Sequence, residues 1–224
     1  MSMSTSKASG GADRLIPSEL QSSLGKAIIG RQVIVLQSTR STNDFLRQML
    51  TPELAEGVVV FAEEQTAGRG QRANRWHSAP HQGLWFSILL RPEILLAESA
   101  RLTTWAAEAV AATIREQLHL TPAIKPPNDV YIGARKVCGV LVETVAGKGA
   151  HFAAIAGIGV NINQPLEAFP VELRERAGSL AMAAGRAIDR REFAVALLRE
   201  LDRSYAHKPG GMSSANPRAS RQPR

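Results

Sequence analysis

The spacing of hydrophobic residues along the chain predicts a mixture of strands and helices. Short runs rich in valine, isoleucine and phenylalanine predict strands at residues 31–37, 57–63, 84–90, 130–132, 136–145 and 152–162. Leucine, phenylalanine and alanine at helical spacing predict helices at residues 38–50, 97–118 and 190–205. Asp189, followed three residues later by Glu192, is typical of a capping box and indicates where the last helix begins.

The strands predicted between residues 130 and 162 follow one another with no helix between them. Glycine-containing segments at residues 133–134 and 147–149 are predicted to be the turns. Strands joined by such turns pair antiparallel, whereas parallel strands need longer crossovers. The predicted fold class is therefore α+β, with a mixed, largely antiparallel β-sheet flanked by helices, rather than a wound βαβ fold.

The composition indicates a single packed domain. The chain has 224 residues, of which 44% are hydrophobic, and two independent cores in this length would each be small. No run approaches the roughly 18 apolar residues of a membrane span, and residues 1–11 lack the apolar segment of a secretory signal. The single cysteine, Cys138, cannot form an internal disulfide and is expected to be a small core residue. A cytoplasmic protein with no membrane partner is expected.

The net charge of +7 is concentrated near the end of the chain. Residues 203–224 carry five basic residues and no acidic one, so they supply most of the excess. Residues 1–14 and 208–224 are biased towards small residues and charge and are expected to be disordered, which leaves residues 15–207 as the folded domain. Nucleic acid is not expected as a partner, because no aromatic residues are interleaved with the basic ones.

Residues 65–76 carry the clearest candidate chemistry. They include Gly68 and Gly70, which allow close backbone approach, and three arginines that can bind anionic oxygens. The segment ends at Trp76, a flat aromatic residue able to stack on a base. A phosphate-bearing ligand is therefore predicted. Because glycines and like charges offer little to hold this loop, it is also expected to be mobile without ligand and to close over a bound one.

The predicted strand at residues 157–162 has two unlike faces. One face is apolar, and the other carries Gly157, Gly159 and Asn161. Glycines in a strand often mark the close approach of a ligand, so Asn161 is interpreted as a polar contact at a pocket rim. Tight packing of the strand against a helix over these glycines is the alternative. Lys136, an isolated cation at the mouth of another strand, either contacts a ligand or simply extends to water.

Five short elements in a fixed order resemble the catalytic domain of the biotin protein ligases. The elements are Ser41-Thr42-Asn43; Gln65 with Gly68, Arg69, Gly70 and Trp76; residues 125–129 (Lys-Pro-Pro-Asn-Asp); Lys136 with Gly139; and Gly157, Gly159 and Asn161. The resemblance as a whole covers roughly residues 32–205. Each element alone is weak, but the joint match is specific.

The resemblance implies a fold and a reaction. The fold is the class II aminoacyl-tRNA synthetase-like catalytic fold of biotin and lipoyl ligases. The reaction uses biotin, ATP and Mg²⁺, and the biotin carboxylate attacks the α-phosphorus of ATP to give biotinyl-5'-AMP and pyrophosphate. A lysine of a biotin carboxyl carrier protein then attacks the mixed anhydride. The sequence leaves open whether the chain forms a homodimer.

The resemblance also assigns roles to residues. Lys136, Arg69 and Lys125 would neutralise the charge that develops on the phosphate. The residues assigned to biotin are Ser41, Thr42, Asn43, Gln65, Gly68, Arg69, Gly70, Gln71, Trp85, Ser87, Lys136 and Gly139. The residues assigned to ATP are Arg69, Arg72, Asn74, Trp76, Lys125, Asn128, Asp129 and Asn161. Asp129 is also the candidate ligand of Mg²⁺, a hard cation that prefers oxygen.

The chain departs from the family pattern in several places. Pro126 stands where the family usually has Trp, which favours an extended Lys125, and Gln71 stands where some members have arginine. The usual small C-terminal β domain is expected to be absent. An N-terminal DNA-binding domain is also expected to be absent, so repressor activity is not expected. Two other functions stay open: a lipoate or octanoate transferase, and a catalytically weak protein that binds biotin or its adenylate.

Overall fold

The computed structural model describes residues 14–147 and 152–206. Its strands are β1 Gln32–Leu36, β2 Val58–Ala62, β3 Gly83–Leu90, β4 Pro122–Lys125, β5 Asp129–Ile132, β6 Arg135–Ala146 and β7 Phe152–Asn161. Its α-helices are α1 Pro17–Leu24, α2 Thr42–Met49, α3 Ala100–Leu118, α4 Leu180–Ala184 and α5 Arg190–Ala206. Every predicted strand and helix is present within a few residues of its predicted bounds, whereas α1, β4 and α4 were not predicted.

The strands form one sheet in the order β1-β2-β3-β7-β6-β5-β4. Strand β1 pairs parallel with β2, and the other neighbouring pairs among the described strands are antiparallel. The prediction of a mixed, largely antiparallel sheet flanked by helices is confirmed. The turn predicted at residues 133–134 lies between β5 and β6, whereas residues 148 and 149 of the other predicted turn lie outside the described residues.

The two faces of the sheet have different partners. On the first face, Phe86 and Ile158 belong to the main core together with Trp105 of α3 and Leu197 of α5. On the second face, Leu46 of α2 forms a smaller apolar cluster with residues of β2, β3 and β7. The helix α2 therefore covers only part of the second face, and the rest is available for a site.

The local signals at the helix starts match the predictions. The Ser41 side chain accepts a hydrogen bond from the backbone N–H of Asp44 and caps α2. The Asp189 carboxylate accepts from the backbone N–H of Glu192 at 3.0 Å, which is the forward half of the predicted capping box. The last helix therefore begins where Asp189 predicts, whereas α2 begins at Thr42 rather than at the predicted residue 38.

Cys138 is fully buried in the main core, as predicted, and burial raises the pKa of its thiol. The expected disordered segments, residues 1–14 and 208–224, fall outside the described residues except for Arg14. Across residues 14–147 and 152–206, no helix combines the length and apolar character needed to cross a membrane.

Candidate functional site

One cleft on the second face of the sheet gathers most of the predicted site residues. Its empty volume is about 470 Å³, counted out to its open mouth. The predicted residues that line it are Ser41, Thr42, Asn43, Gln65, Arg69, Gly70, Gln71, Trp76, Asn128, Lys136 and Gly139. They come from the start of α2, the loop after β2, the turn before β5 and strand β6. The fold therefore brings together elements that are far apart in the sequence.

A chain of hydrogen bonds lines the deep end of the cleft. The Gln65 side-chain oxygen accepts from the Thr42 backbone N–H at 2.9 Å, and the Gln65 amide nitrogen donates to Ser78 at 3.2 Å. The buried Ser87 hydroxyl donates to Asn43 Oδ1 at 2.6 Å. The Ser87 hydroxyl also lies 2.7 Å from the Thr42 hydroxyl, which in turn lies 3.1 Å from the Gln65 side-chain oxygen. These polar groups are held in fixed orientations before any ligand binds.

Asn43 occupies space that Gly157 provides. A Cβ atom at Gly157 would lie 2.4 Å from Asn43 Oδ1, so no larger residue fits there. The Asn43 amide nitrogen donates to Glu143 Oε2 at 2.7 Å, which fixes the direction of its amide. The alternative prediction, tight packing of a helix over these glycines, is therefore correct at Gly157, where α2 supplies the side chain.

The loop at residues 65–76 has more to hold it than the sequence suggests. Arg69 lies 2.7 Å from Asp44 of α2 and 3.0 Å from Glu143 of β6. Within the loop, Trp76 donates from its backbone N–H to Gly68 at 2.9 Å. The expectation that little holds this loop missed these ion pairs, because the acidic partners of Arg69 lie in other elements. Whether the loop moves on ligand binding stays a prediction.

Trp76 lies over two glycines on the floor of the cleft. A Cβ atom at Gly159 would lie 2.5 Å from the Trp76 ring, and one at Gly139 would lie 2.8 Å from it. The ring meets Trp85 edge-on at a centroid distance of 6.1 Å. The Trp76 indole N–H is buried and has no hydrogen-bond partner among the described residues. A ligand oxygen or a water at this point would satisfy that donor.

Lys136 is neither isolated nor extended into water, contrary to those two expectations. Its Nζ lies 2.7 Å from Asp129 Oδ1, and the Asn128 side-chain nitrogen donates to the same oxygen at 2.7 Å. Nζ also lies 5.5 Å from the centroid of the Trp76 ring. Asp129 pairs with Gly139 across β5 and β6, so the register of these strands sets the ion pair. The ammonium group faces the cleft with its side chain 29% exposed.

The remaining predicted residues do not line the cleft. Ser87 and Trp85 are fully buried behind it, and Gly68 is a buried residue of the loop that packs against Trp76. Asn161 is 4% exposed and donates to the Gly178 carbonyl at 2.9 Å. Its interpretation as a rim contact is not supported by this position, because segment 178–181 covers it. The predicted ATP residues that lie outside the cleft on exposed surface are Arg72, Asn74 and Lys125.

Two residues of the site were missed by the sequence analysis, Ser78 and Glu143. Ser78 is buried and accepts from Gln65. Glu143 lies on the same face of β6 as Gly139 and contacts both Asn43 and Arg69. A lone carboxylate within the apolar run of β6 was the available signal for Glu143, since alternation places residues 139, 141 and 143 on one face.

Asp129, the candidate Mg²⁺ ligand, has Asn128 and Lys136 as its polar neighbours. In the described part of the chain, no three His, Cys, Asp or Glu residues are grouped as a metal site would need. Asp129 and Asn128 nevertheless place hard carboxylate and amide oxygens on one turn beside Lys136. Mg²⁺ commonly binds through one or two carboxylates, substrate phosphates and water. The residues therefore fit an ion carried in by a nucleotide, with Asp129 as the one carboxylate.

Comparison with known proteins places this fold and cleft in a family. Residues 35–161 match the Biotin/lipoate A/B protein ligase family. The Bifunctional ligase/repressor BirA of Bacillus subtilis is 38% identical over 79% of this chain and 54% of its own length. The Biotin--[acetyl-CoA-carboxylase] ligase of Mycobacterium tuberculosis is 32% identical over 85% of this chain and 72% of its own. The chain thus spans about half the length of the Bacillus protein.

Solved structures agree with these relatives. A biotin protein ligase from Aquifex aeolicus, solved in complex with biotin and ATP, has 32% sequence identity and a TM-score of 0.66. The match covers 77% of this chain and 69% of that one. The predicted class II synthetase-like fold of biotin ligases is confirmed by this likeness. On the family match, the relatives and the fold, the chain belongs to the Biotin/lipoate A/B protein ligase family.

Proposed function

We propose that this chain is an ATP-dependent biotin protein ligase that forms biotinyl-5'-AMP and transfers biotin to a lysine of a biotin carboxyl carrier protein. The observation that carries the proposal is the pairing of two chemistries in one cleft. Fixed neutral donors and acceptors around Thr42 and Gln65 lie at one end, and the cation Lys136 lies at the other. The Mycobacterium relative is named as a biotin ligase, which supports this activity, and the Bacillus relative is named as a ligase.

The neutral end of the cleft suits the ureido ring of biotin. That ring is uncharged and needs a few placed hydrogen bonds inside an otherwise apolar pocket. Ser41, Thr42, Asn43 and Gln65 would supply them, and the buried pair of Ser87 and Trp85 would hold these groups from behind. Further contacts are proposed for the loop residues and the β6 glycine, namely Gly68, Arg69, Gly70, Gln71 and Gly139.

The cationic end suits the reacting phosphate. In the first step a carboxylate oxygen of biotin bonds to the α-phosphorus and pyrophosphate leaves with its electron pair. Two anions approach each other, so positioned cations lower the barrier. Lys136 would bind the developing anhydride oxygens, with Arg69 and Lys125 as further cations. Because Asp129 already holds Lys136 Nζ at 2.7 Å, the ammonium group is oriented before the substrate arrives.

The nucleotide is proposed to contact both sides of the loop. Trp76 would cover the adenine, with Asn128 and Asp129 near the phosphates. Weaker assignments to ATP are kept for Arg72, Asn74 and Asn161. When bound, Mg²⁺ would neutralise charge on the phosphate oxygens, and Asp129 would hold it through a carboxylate oxygen.

In the second step, the amine of the carrier lysine attacks the acyl carbon and AMP leaves. We propose a carrier domain of a biotin-dependent carboxylase as the partner and the cytoplasm as the location. A homodimer remains open in this proposal. A lipoate or octanoate transferase is the second candidate within the family, but the Asn128-Asp129 element beside Lys136 favours the adenylating biotin ligase.

The test uses three activities of the purified chain with Mg-ATP. The first is biotin-dependent exchange of labelled pyrophosphate into ATP, and the second is transfer of labelled biotin to an apo carrier domain. The third is exchange or transfer with lipoate or octanoate in place of biotin. Lys136→Ala is expected to reduce exchange and transfer by on the order of 100-fold or more, whereas Lys26→Ala, an exposed lysine far from the cleft in sequence, should match the parent chain. Absence of exchange with biotin in the parent chain would refute the proposal.

A further inference from the structure

Glu143 receives more polar contacts than any role in the stability of a strand requires. Its Oε2 accepts from the Asn43 amide nitrogen at 2.7 Å and from Arg69 at 3.0 Å, and its Oε1 lies 3.3 Å from Arg47. The side chain is 22% exposed, so water only partly screens these contacts. One carboxylate thus joins α2, the loop and β6.

We propose that Glu143 is a positioning residue that couples the biotin end of the cleft to the closed loop, through Asn43 on one side and Arg69 on the other. The inference rests on the proposed function and adds a residue to it. A loop held closed would protect the mixed anhydride from water, and the same carboxylate would keep the Asn43 amide in its working orientation.

The first half of the coupling follows from the direction of the Asn43 amide. Ser87 donates to Asn43 Oδ1 at 2.6 Å, so the amide nitrogen must point the other way, to Glu143. Gly157 leaves space for Asn43 and none to spare, with 2.4 Å from a would-be Cβ atom to Oδ1. The amide nitrogen has one other acceptor, the Leu141 carbonyl at the longer distance of 3.4 Å. Without Glu143, only this weaker bond orients the amide, and the Ser87 hydroxyl that donates to it is less firmly directed.

The second half follows from charge. Arg69 NH2 bridges Glu143 and Asp44, two carboxylates on different elements. Such charge-assisted bonds are stronger than neutral ones. The backbone bonds beside Arg69 join Gly68 to Trp76 and Gly70 to Asn74, within the loop itself. The Arg69 side chain is what ties this part of the loop to α2 and β6, so loss of one carboxylate should favour the open loop.

Two substitutions separate the halves. Glu143→Gln keeps an oxygen that can accept from Asn43, but it removes the charge and can turn an amide N–H towards Arg69. It is expected to leave the KM for biotin within about twofold and to raise carrier-independent release of AMP about 10-fold, because adenylate is hydrolysed in a less closed cleft. Glu143→Leu removes the acceptor as well and is expected to raise the KM for biotin about 10-fold in addition.

Loop opening is measured without any activity by limited trypsin digestion of the whole chain. Glu143→Gln should speed cleavage after Arg69, Arg72 or Arg75, and Arg69→Ala should do the same at the remaining two sites. Combining the substitutions should add nothing beyond Arg69→Ala, as expected for two residues acting through one contact. Glu98→Gln is the matched control, because it weakens an exposed ion pair with Arg101 on another element.

The outcomes are distinguishable from failure of the proposed function. If the parent chain makes no adenylate, the proposed function fails, and the trypsin pattern still tests the coupling of Glu143 to the loop. If the parent chain is active but Glu143→Gln leaves AMP release and loop cleavage unchanged, the inference is overturned. If Glu143→Leu lowers thermal stability but leaves the KM for biotin unchanged, Glu143 is only structural and the inference is likewise overturned.

Discussion

Three glycines on the second face of the sheet provide space for side chains rather than an empty floor. Gly157 accommodates Asn43, and Gly139 and Gly159 accommodate Trp76. The alternation of glycines in β7 could be recognised in the sequence. The side chains that fill the space above these glycines come from α2 and from the loop, which the sequence did not predict. The glycines therefore predicted that another group packs closely against the sheet. The fold determined that these groups are the side chains of Asn43 and Trp76.

Gly159→Ala is expected to displace the Trp76 ring. The new Cβ atom would lie 2.5 Å from the ring, and overpacking of this kind costs about 1 to 3 kcal/mol of unfolding free energy. Gly70→Ala in the same cleft is the control, because its nearest neighbour would be 3.5 Å away. The measurements are urea unfolding and tryptophan emission, which should shift to the red as Trp76 meets water while Trp85 and Trp105 stay buried. An unchanged emission maximum would count against this packing.

Tyr205 makes stability depend on pH. Its hydroxyl donates to Glu56 at 2.5 Å, and burial, followed by the charge of Glu56, raises the pKa of the phenol far above its ordinary value of 10.0. The folded chain thus keeps a proton that the unfolded chain loses, so the stabilisation is complete below pH 10 and declines as the pH rises above it.

Tyr205→Phe isolates this effect. Below pH 10 the substitution should cost about 1.5 kcal/mol, since a bond to a charged acceptor is lost. Above pH 10 the difference between the two proteins should shrink by about 1.4 kcal/mol per pH unit. Cys138, whose pKa is also raised by burial, is common to both proteins and cancels in the difference. Urea unfolding from pH 8 to pH 11 measures it, and a difference that stays constant across this range would contradict the account.

At the scale of elements, local pattern decided what could be predicted. Strands β2 and β3 are buried on both faces and read as continuous apolar runs. Helix α3 has 19 residues without glycine or proline. By contrast, α1 buries only Leu20, β4 buries none of its residues fully, and α4 buries only Leu180, so these elements carry little hydrophobic pattern to recognise. Their positions are set by contacts with the sheet and with α5 rather than by propensity.

Site residues that belong to short sequence motifs could be predicted, whereas residues that reach the site through strand pairing could not. Ser41, Gln65 and Lys136 could be named from short motifs. The partners that orient them could not, because Asp129 meets Lys136 through strand register and Glu143 meets Arg69 across the cleft. The sequence thus predicted the groups that line the cleft better than the groups that hold them.

At the scale of the whole molecule, a buried ion pair joins the helical layer to the cleft. Arg190, the first residue of α5, lies 2.7 Å from Glu63, and each side chain is only 3% exposed. Glu63 directly follows β2 and precedes Gln65 by two residues. Arg190 also donates to the Gly83 carbonyl at the start of β3. One guanidinium group therefore fixes both strands that border the loop of the site.

Arg190→Met is expected to lower the unfolding free energy by about 3 to 5 kcal/mol, because it leaves the Glu63 carboxylate buried without its cation. Arg203→Met on the same helix removes a guanidinium whose side chain is 65% exposed as it pairs with Glu200, and it should cost about 1 kcal/mol. The double change Glu63→Gln with Arg190→Met should recover part of the loss, since no charge is then stranded in the core. Urea unfolding at pH 7 of the parent chain, Arg190→Met, Glu63→Gln and their double variant gives the coupling energy, and Arg203→Met is measured beside them. A loss in Arg190→Met no larger than that in Arg203→Met would mean that α5 is held by its apolar residues alone, and the alignment of Gln65 would then have to come from β2.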